Sequence, residues 1–165
     1  MKLIIASIVI FSLVILFLFA LFPSDITVSR VIQIKSSPDQ IHKKIADLRE
    51  WHEWNDLLLN AFEKKVYTPA LTDSNHIRRG STTVELLKST HDTVVVSWQH
   101  EKKYFTGIFI ITGENGQSIV QWSLHFHVKW YPWEKLASMF YDKQLGPLME
   151  KSLLNLRNQL ETAHQ

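Results

Sequence analysis

Residues 31–55 read VIQIKSSPDQIHKKIADLREWHEWN, and the change of hydrophobic period inside this stretch decides the fold. Up to Ile34 the apolar and polar residues alternate. Ile26, Val28, Ile32 and Ile34 fall on one face with Arg30, and Thr27, Ser29, Val31 and Gln33 on the other, the two-residue repeat of a strand. Ser37 then stands as a helix N-cap. Pro38 suits the first helical position, where its missing N–H is not needed, and Gln40 completes a capping box. Ile41, Ile45 and Leu48 recur at helical spacing, and Trp51 continues that buried face. Lys43, Lys44 and Glu50 fall outside it, on a solvated face. Trp54 stands where the chain leaves the helix. His52 and Glu53 crowd the two tryptophans, but solvent-facing positions explain them.

Downstream the period stays at two. Weak strand patterns lie near Lys64–Thr68 and His76–Arg79, and stronger ones at Ser81–Leu87, Thr93–His100, Tyr104–Thr112 and Ser118–Trp130. Asn115–Gly116 between the last two predicts a two-residue hairpin, because both residues accept positive φ. In the last strand Val120, Trp122, Leu124, Phe126 and Val128 share one face, opposite Gln121, Ser123, His125 and His127. The C-terminus turns helical at Pro132–Gln144, with an expected interruption at Gly146–Pro147. From Pro147 onward Met149, Leu153, Leu156 and Leu160 form one apolar stripe, which needs the apolar face of the sheet as its partner.

Upstream, residues 3–22 read LIIASIVIFSLVILFLFALF, without a charge. As a helix rising about 1.5 Å per residue they span about 30 Å, the hydrocarbon thickness of a bilayer. The run is longer than a signal peptide's apolar region, and FALFPSD offers no small-x-small cleavage site. Residues 1–23 therefore read as a single-pass anchor and 24–165 as one domain. Lys2 places the N-terminus in the cytoplasm by the positive-inside rule, and so the domain outside, in the cell envelope. The formal charge of +2 leaves no footprint for nucleic acid, and the absence of cysteine excludes disulfides, thiolate metal sites and a cysteine nucleophile.

A strand, a capped helix ending on Trp-x-x-Trp, a meander of six or seven antiparallel strands and a long amphipathic terminal helix: this order resembles the START-like (SRPBCC) superfamily of polyketide cyclases/dehydrases and lipid-transport proteins. The residues that carry the likeness are Val31–Asn55, the Asn115–Gly116 hairpin with VQWSLHF, and LGPLMEKSLLNLRNQLE at Leu145–Glu161. The resemblance implies an α+β helix-grip fold, a curved sheet wrapped round the C-terminal helix with a cavity between them for a lipid, isoprenoid or aromatic compound. Cavity candidates are Trp54, then Ile108 and Ile110 or their neighbours, with Trp122, Leu124 and Phe126 of the last strand, and Met139, Phe140, Met149 and Leu153 of the terminal helix.

Candidates for chemistry are few. His125 and His127 share a strand face and so suit two ligands of a zinc site, but that face is the polar, solvated one. Glu85, Arg78, Arg79 and His100 fall on no acid–base motif. No phosphate loop, nucleophile elbow or His-Glu-x-x-His pair occurs. No metal or other cofactor is expected. Trp130, Tyr131 and Trp133 cluster beside Lys135, the composition of a membrane interface. In the fold resembled, the last strand ends beside the start of the first, so this loop is expected to face the bilayer. The reading is a membrane-tethered binder of a hydrophobic small molecule. The alternatives are a cyclase/dehydratase-type enzyme and a cell-envelope interaction module with a filled core.

Overall fold

The computed structural model describes residues 2–21, 23–60, 71–114 and 116–162, with side chains throughout except at 2, 18–21, 71 and 72. The strand expected near Lys64–Thr68 lies outside the described residues. Seven strands form one antiparallel sheet: β1 (Asp25–Ile34), β2 (Leu71–Thr72), β3 (His76–Arg79), β4 (Thr82–Ser89), β5 (Thr93–His100), β6 (Lys103–Glu114) and β7 (Gln117–His127). Their order is β1-β7-β6-β5-β4-β3-β2. The first strand thus joins the last, with Asp25 opposite His127 and Ile34 opposite Ser118. Glu114 pairs with Gln117, and Gly116 between them takes a φ of 80°, a conformation open to glycine; Asn115 of the expected hairpin turn lies outside the described residues.

Helices cover one face of this sheet. α2 (Pro38–Ala46) lies over β5 and β6, and α6 (Tyr141–Thr162) over β1, with α3 (Trp51–Trp54) and α4 (Asp56–Asn60) packed against α6. Ser37 and Pro38 open α2 as expected, but the capping box does not form. Gln40 accepts instead from the Ser36 hydroxyl at 2.8 Å. Nor does one helix run through to Trp51. α2 stops at Ala46, a 3-10 turn occupies Leu48–Glu50, and α3 follows as a separate turn. Asp47 causes the break: its carboxylate takes the Arg49 N–H at 3.0 Å, a donor that α2 would need to continue. Trp51 then donates its indole N–H to the Ile45 carbonyl at 2.8 Å, satisfying an acceptor that the broken helix leaves open.

The C-terminal helix breaks elsewhere than expected. α5 (Pro132–Ser138) ends before Met139–Phe140, and α6 runs through Gly146–Pro147 without interruption. Pro147 removes the donor that would reach the Lys143 carbonyl, and Lys143 lies exposed, where water can replace it. Gly146 has a packing role. A Cβ there would collide with the Arg30 guanidinium, which passes under the helix to pair with Asp142 at 2.9 Å.

α1 (Lys2–Leu21) is helical, and its described side chains, residues 3–17, are apolar but for Ser7 and Ser12 and mostly exposed. Among the described residues no helix is long and apolar enough to cross a membrane.

Candidate functional site: an aromatic cleft between sheet and helix

Four tryptophans fill the space between sheet and helices. Trp51, Trp54, Trp98 and Trp122 are all fully buried, with Phe109 among them. Phe109 stacks on Trp122 at 4.9 Å between ring centroids. Trp51 meets Trp98 and Phe109 at 5.7 Å each, and Trp54 meets Trp122 at 6.4 Å. These are close-packed edge and stacking contacts. Gly107 makes room for Trp98: a Cβ there would stand 3.0 Å from its indole nitrogen and 2.9 Å from Val96.

The packing opens at one end of the sheet. Trp98 stacks on Phe105 at 5.6 Å, Phe105 on Phe126 at 4.7 Å, and Phe126 meets Tyr141 at 4.9 Å. This aromatic series leads from the core into a cleft of about 220 Å³ lined by Phe105, Phe126, Tyr141, Leu145 and Leu148, with His100, Lys103 and Gln144 at its edge. A second cleft of about 420 Å³ continues outward past Lys103, Phe126 and Tyr141 to Lys102, Tyr104, His127, Val128, Lys129 and Glu134. His100 Nδ1 lies 2.9 Å from the Thr82 hydroxyl, across the β4–β5 pair. The site is therefore an apolar slot roofed by the first turns of α6, with a polar and mainly basic margin.

Phe126 is the cavity candidate that lines this slot. Trp54, Trp122, Leu124, Met149 and Leu153 point inward but are packed as core. Ile108 and Ile110 require correction: they lie on the outer face of β6, Ile110 being 39% exposed, while Phe105, Gly107, Phe109 and Ile111 face inward. The run IFII is apolar on both faces, so alternation alone left the register open. Pairing of Phe109 with Trp122 and of Gly107 with Leu124 fixes it. Met139 and Phe140 are corrected too. They fall in the break between α5 and α6 and are 60% and 53% exposed. Phe105, Tyr141, Leu145 and Leu148 were not singled out from sequence. Tyr141, Leu145 and Leu148 do recur at helical spacing, a signal hidden by reading Gly146–Pro147 as a break.

The loop after β7 lies where the strand pairing puts it. The Val128 N–H bonds the Ser24 carbonyl at 2.8 Å, and α5 rests against α1. Trp130 and Trp133 are both 66% exposed, and Tyr131 stacks on Trp133 at 5.0 Å. Lys135, expected at the same surface, is buried in a groove with Pro23, Ile26, Ser138 and Met139, because the turn of α5 points it towards β1. His125 and His127 sit on the outer face and meet Thr27 at 3.0 Å and Asp25 at 2.7 Å. Among the described residues no three His, Asp or Glu side chains are grouped to hold a metal ion.

In REWHEWN the titrating groups serve packing. Burial disfavours the Lys44 ammonium, but hydrogen bonds to Glu53 and Glu50 outweigh it and raise its pKa; the same contact holds the Glu53 carboxyl below its ordinary range. His52 Nδ1 lies 2.6 Å from the Arg49 carbonyl, on the exposed side.

A seven-stranded antiparallel sheet gripping a long C-terminal helix, with an apolar slot between them, defines a START-like helix-grip protein. The family described as polyketide cyclase/dehydrase and lipid transport matches residues 25–161, and the chain belongs to it. No curated protein matches the chain. Among solved structures it is similar to a START superfamily protein from Mycobacterium smegmatis (13% identity, 83% of this chain and 98% of that one, TM-score 0.59). It is also similar to norcoclaurine synthase from Thalictrum flavum in complex with dopamine and hydroxybenzaldehyde (15% identity, 86% and 88%, TM-score 0.58). A third is DynU16, from the dynemicin biosynthetic locus (13% identity, TM-score 0.54); 83% of this chain matches 48% of that one, so the match spans about half of its length. At these identities the likeness is one of fold.

Proposed function

We propose that the chain is a membrane-tethered binder of a hydrophobic small molecule, a lipid, isoprenoid or aromatic compound. The observation that carries this is the slot lined by Phe105, Phe126, Tyr141, Leu145 and Leu148 between sheet and α6. Ligand sites are concave and mostly apolar with a few polar groups at the margin, and this slot has that character. A cavity of about 150 Å³ lined by apolar side chains holds a benzene ring. The inner slot thus suits one ring or a short chain, and the outer cleft the remainder of a longer molecule.

The tether is residues 1–23. A helix whose described side chains expose Leu3, Ile8, Phe11 and Phe17 to solvent is costly in water, and hydrocarbon removes that cost. Trp130 and Trp133, with Leu136, Met139 and Phe140 exposed beside them, supply rings and apolar side chains at the depth where such a helix would leave the bilayer. Ligand that partitions into the membrane then reaches the slot without crossing water. Lys2 favours a domain outside the cytoplasm, and a reporter fused after Gln165 and active on one side only tests that orientation.

The test of binding is native mass spectrometry of the full chain released from detergent, beside Leu148→Trp, which fills the slot. The wild type should carry a small-molecule adduct that the variant lacks. Equal adducts, or none in repeated preparations, would overturn the reading. The second outcome would favour an interaction module, for which the tryptophan-filled interior already speaks. The cyclase-type alternative rests on His100, Lys103 and Tyr141, the titratable groups at the slot.

A further inference from the structure

The mouth of the slot carries a chemistry that apolar binding does not use. His100 pairs with Lys103, so Glu101 and Lys102 alone make the β5–β6 turn. Glu101 takes a φ of 54°, and among the described residues it is the one non-glycine with positive φ. Glycine or asparagine closes such a turn with little strain, and both are ordinary there. This turn instead reads Glu-Lys, with Lys103 opening β6, and Lys102 and Lys103 both line the cleft. Strained backbone of this kind clusters at sites where the surroundings need a particular side chain in a particular place.

Lys129, on the segment after β7, lines the same cleft. None of these three ammonium groups pairs with a carboxylate among the described residues, whose ion pairs lie elsewhere. The acid in the lining, Glu134, accepts from the Lys129 backbone N–H at 3.1 Å. His127 is turned to Asp25. Three lysines thus converge on the margin of an aromatic slot.

We propose that the cleft takes an anionic amphiphile, its ring or short chain between Phe105, Phe126, Tyr141 and Leu148 and its carboxylate or phosphate held by Lys102, Lys103 and Lys129. This rests on the slot being a ligand site, and adds the class of ligand. The anion belongs either to a membrane lipid or to a water-soluble amphiphile. In both the head is an oxygen anion facing ammonium groups, and the tail replaces water on aromatic faces.

The experiment is calorimetric titration of the full chain in phosphatidylcholine nanodiscs with octyl phosphate, octanoate and 1-octanol, empty discs serving as blank. The two anions should bind about tenfold more tightly than octanol, the scale of a few exposed ion pairs, with a preference that shrinks as salt is raised. The variant Lys102→Gln/Lys103→Gln/Lys129→Gln, checked by circular dichroism, should lose that preference and keep octanol binding. Octanol binding as tightly as the anions, or the variant retaining the preference, overturns the proposal and leaves the slot as a hydrophobic site. Absence of binding by all three overturns both. With phosphatidylglycerol in the discs, weaker binding of octyl phosphate identifies the lipid headgroup as the source, and unchanged binding a soluble amphiphile.

Discussion

Replacing Trp51 and Trp54, one at a time, by phenylalanine makes two changes of equal size at neighbouring buried positions that differ in one atom's surroundings. Each removes roughly 40 Å³ of ring. At about 24 cal/mol per Å³ this is about 1 kcal/mol of cavity, with about 1 kcal/mol more in lost transfer energy. The indole N–H separates them. That of Trp51 bonds the Ile45 carbonyl at 2.8 Å, and no helical donor replaces it, because the Arg49 N–H is held by Asp47. Its loss strands a buried acceptor, at about 1–3 kcal/mol. That of Trp54 is buried with no hydrogen-bond partner, so its removal returns a desolvation cost of about the same size. Trp51→Phe should therefore cost about 3–5 kcal/mol, and Trp54→Phe should lie between about 1 kcal/mol of cost and about 1 kcal/mol of gain. Urea titration of the full chain in nanodiscs, followed by far-ultraviolet circular dichroism, reads both. Costs within about 0.5 kcal/mol of each other, or the reverse order, would refute this account of the tryptophan core.

Gly146→Ala drives a methyl group into the Arg30 guanidinium and should destabilise by about 1–3 kcal/mol in the same titration, an effect that Arg30→Ala in the same chain should largely relieve. Glu53→Gln tests the brace on REWHEWN. Because the folded carboxyl titrates below its ordinary 4.5, its contribution is complete above that value and fades as pH falls through the lower folded one. At 45% exposure the pair is screened, so the variant should be less stable by under about 0.5 kcal/mol at pH 7, and the difference should vanish once the pH is below the lowered folded value. Trp130→Ala with Trp133→Ala should blue-shift neither core fluorescence nor circular dichroism, yet abolish most quenching by brominated lipids. Quenching unchanged from wild type would remove these rings from the bilayer surface.

Most of the fold can be read from side-chain alternation because one sheet face is buried and the other wet. β3 and β5 fall where the pattern puts them, and the outer and inner rows of β7 separate cleanly. Where both faces are apolar the pattern loses its phase, as at Ile108–Ile111, and only the partner strand decides. Breaks in helices were the other failure. Asp47 ends α2 through a side-chain bond that no hydrophobic period records, and Pro147 strands the carbonyl of Lys143, an exposed residue. The candidate site was legible in kind, but of its lining Phe126 alone was among the cavity candidates. The rest of its walls comes from Phe105 of β6 and the N-terminal turns of α6, and its lysines from a turn, a strand's first residue and the segment after β7, where single residues carry no periodicity.

The bond from Val128 to Ser24 stitches the exit of the last strand to the entry of the first. A flexible leash would let the domain tumble and offer any face to its surroundings. Here three residues, Phe22, Pro23 and Ser24, separate α1 from the sheet at Asp25; Phe22 lies outside the described residues, and Ser24 is itself held by the sheet. Whatever holds α1 therefore keeps the domain within three residues of it. With the proposed anchor in place, so short a link makes a bracket of the molecule and not a float, and a few Gly-Ser residues inserted before Ser24 would lengthen it without touching the slot.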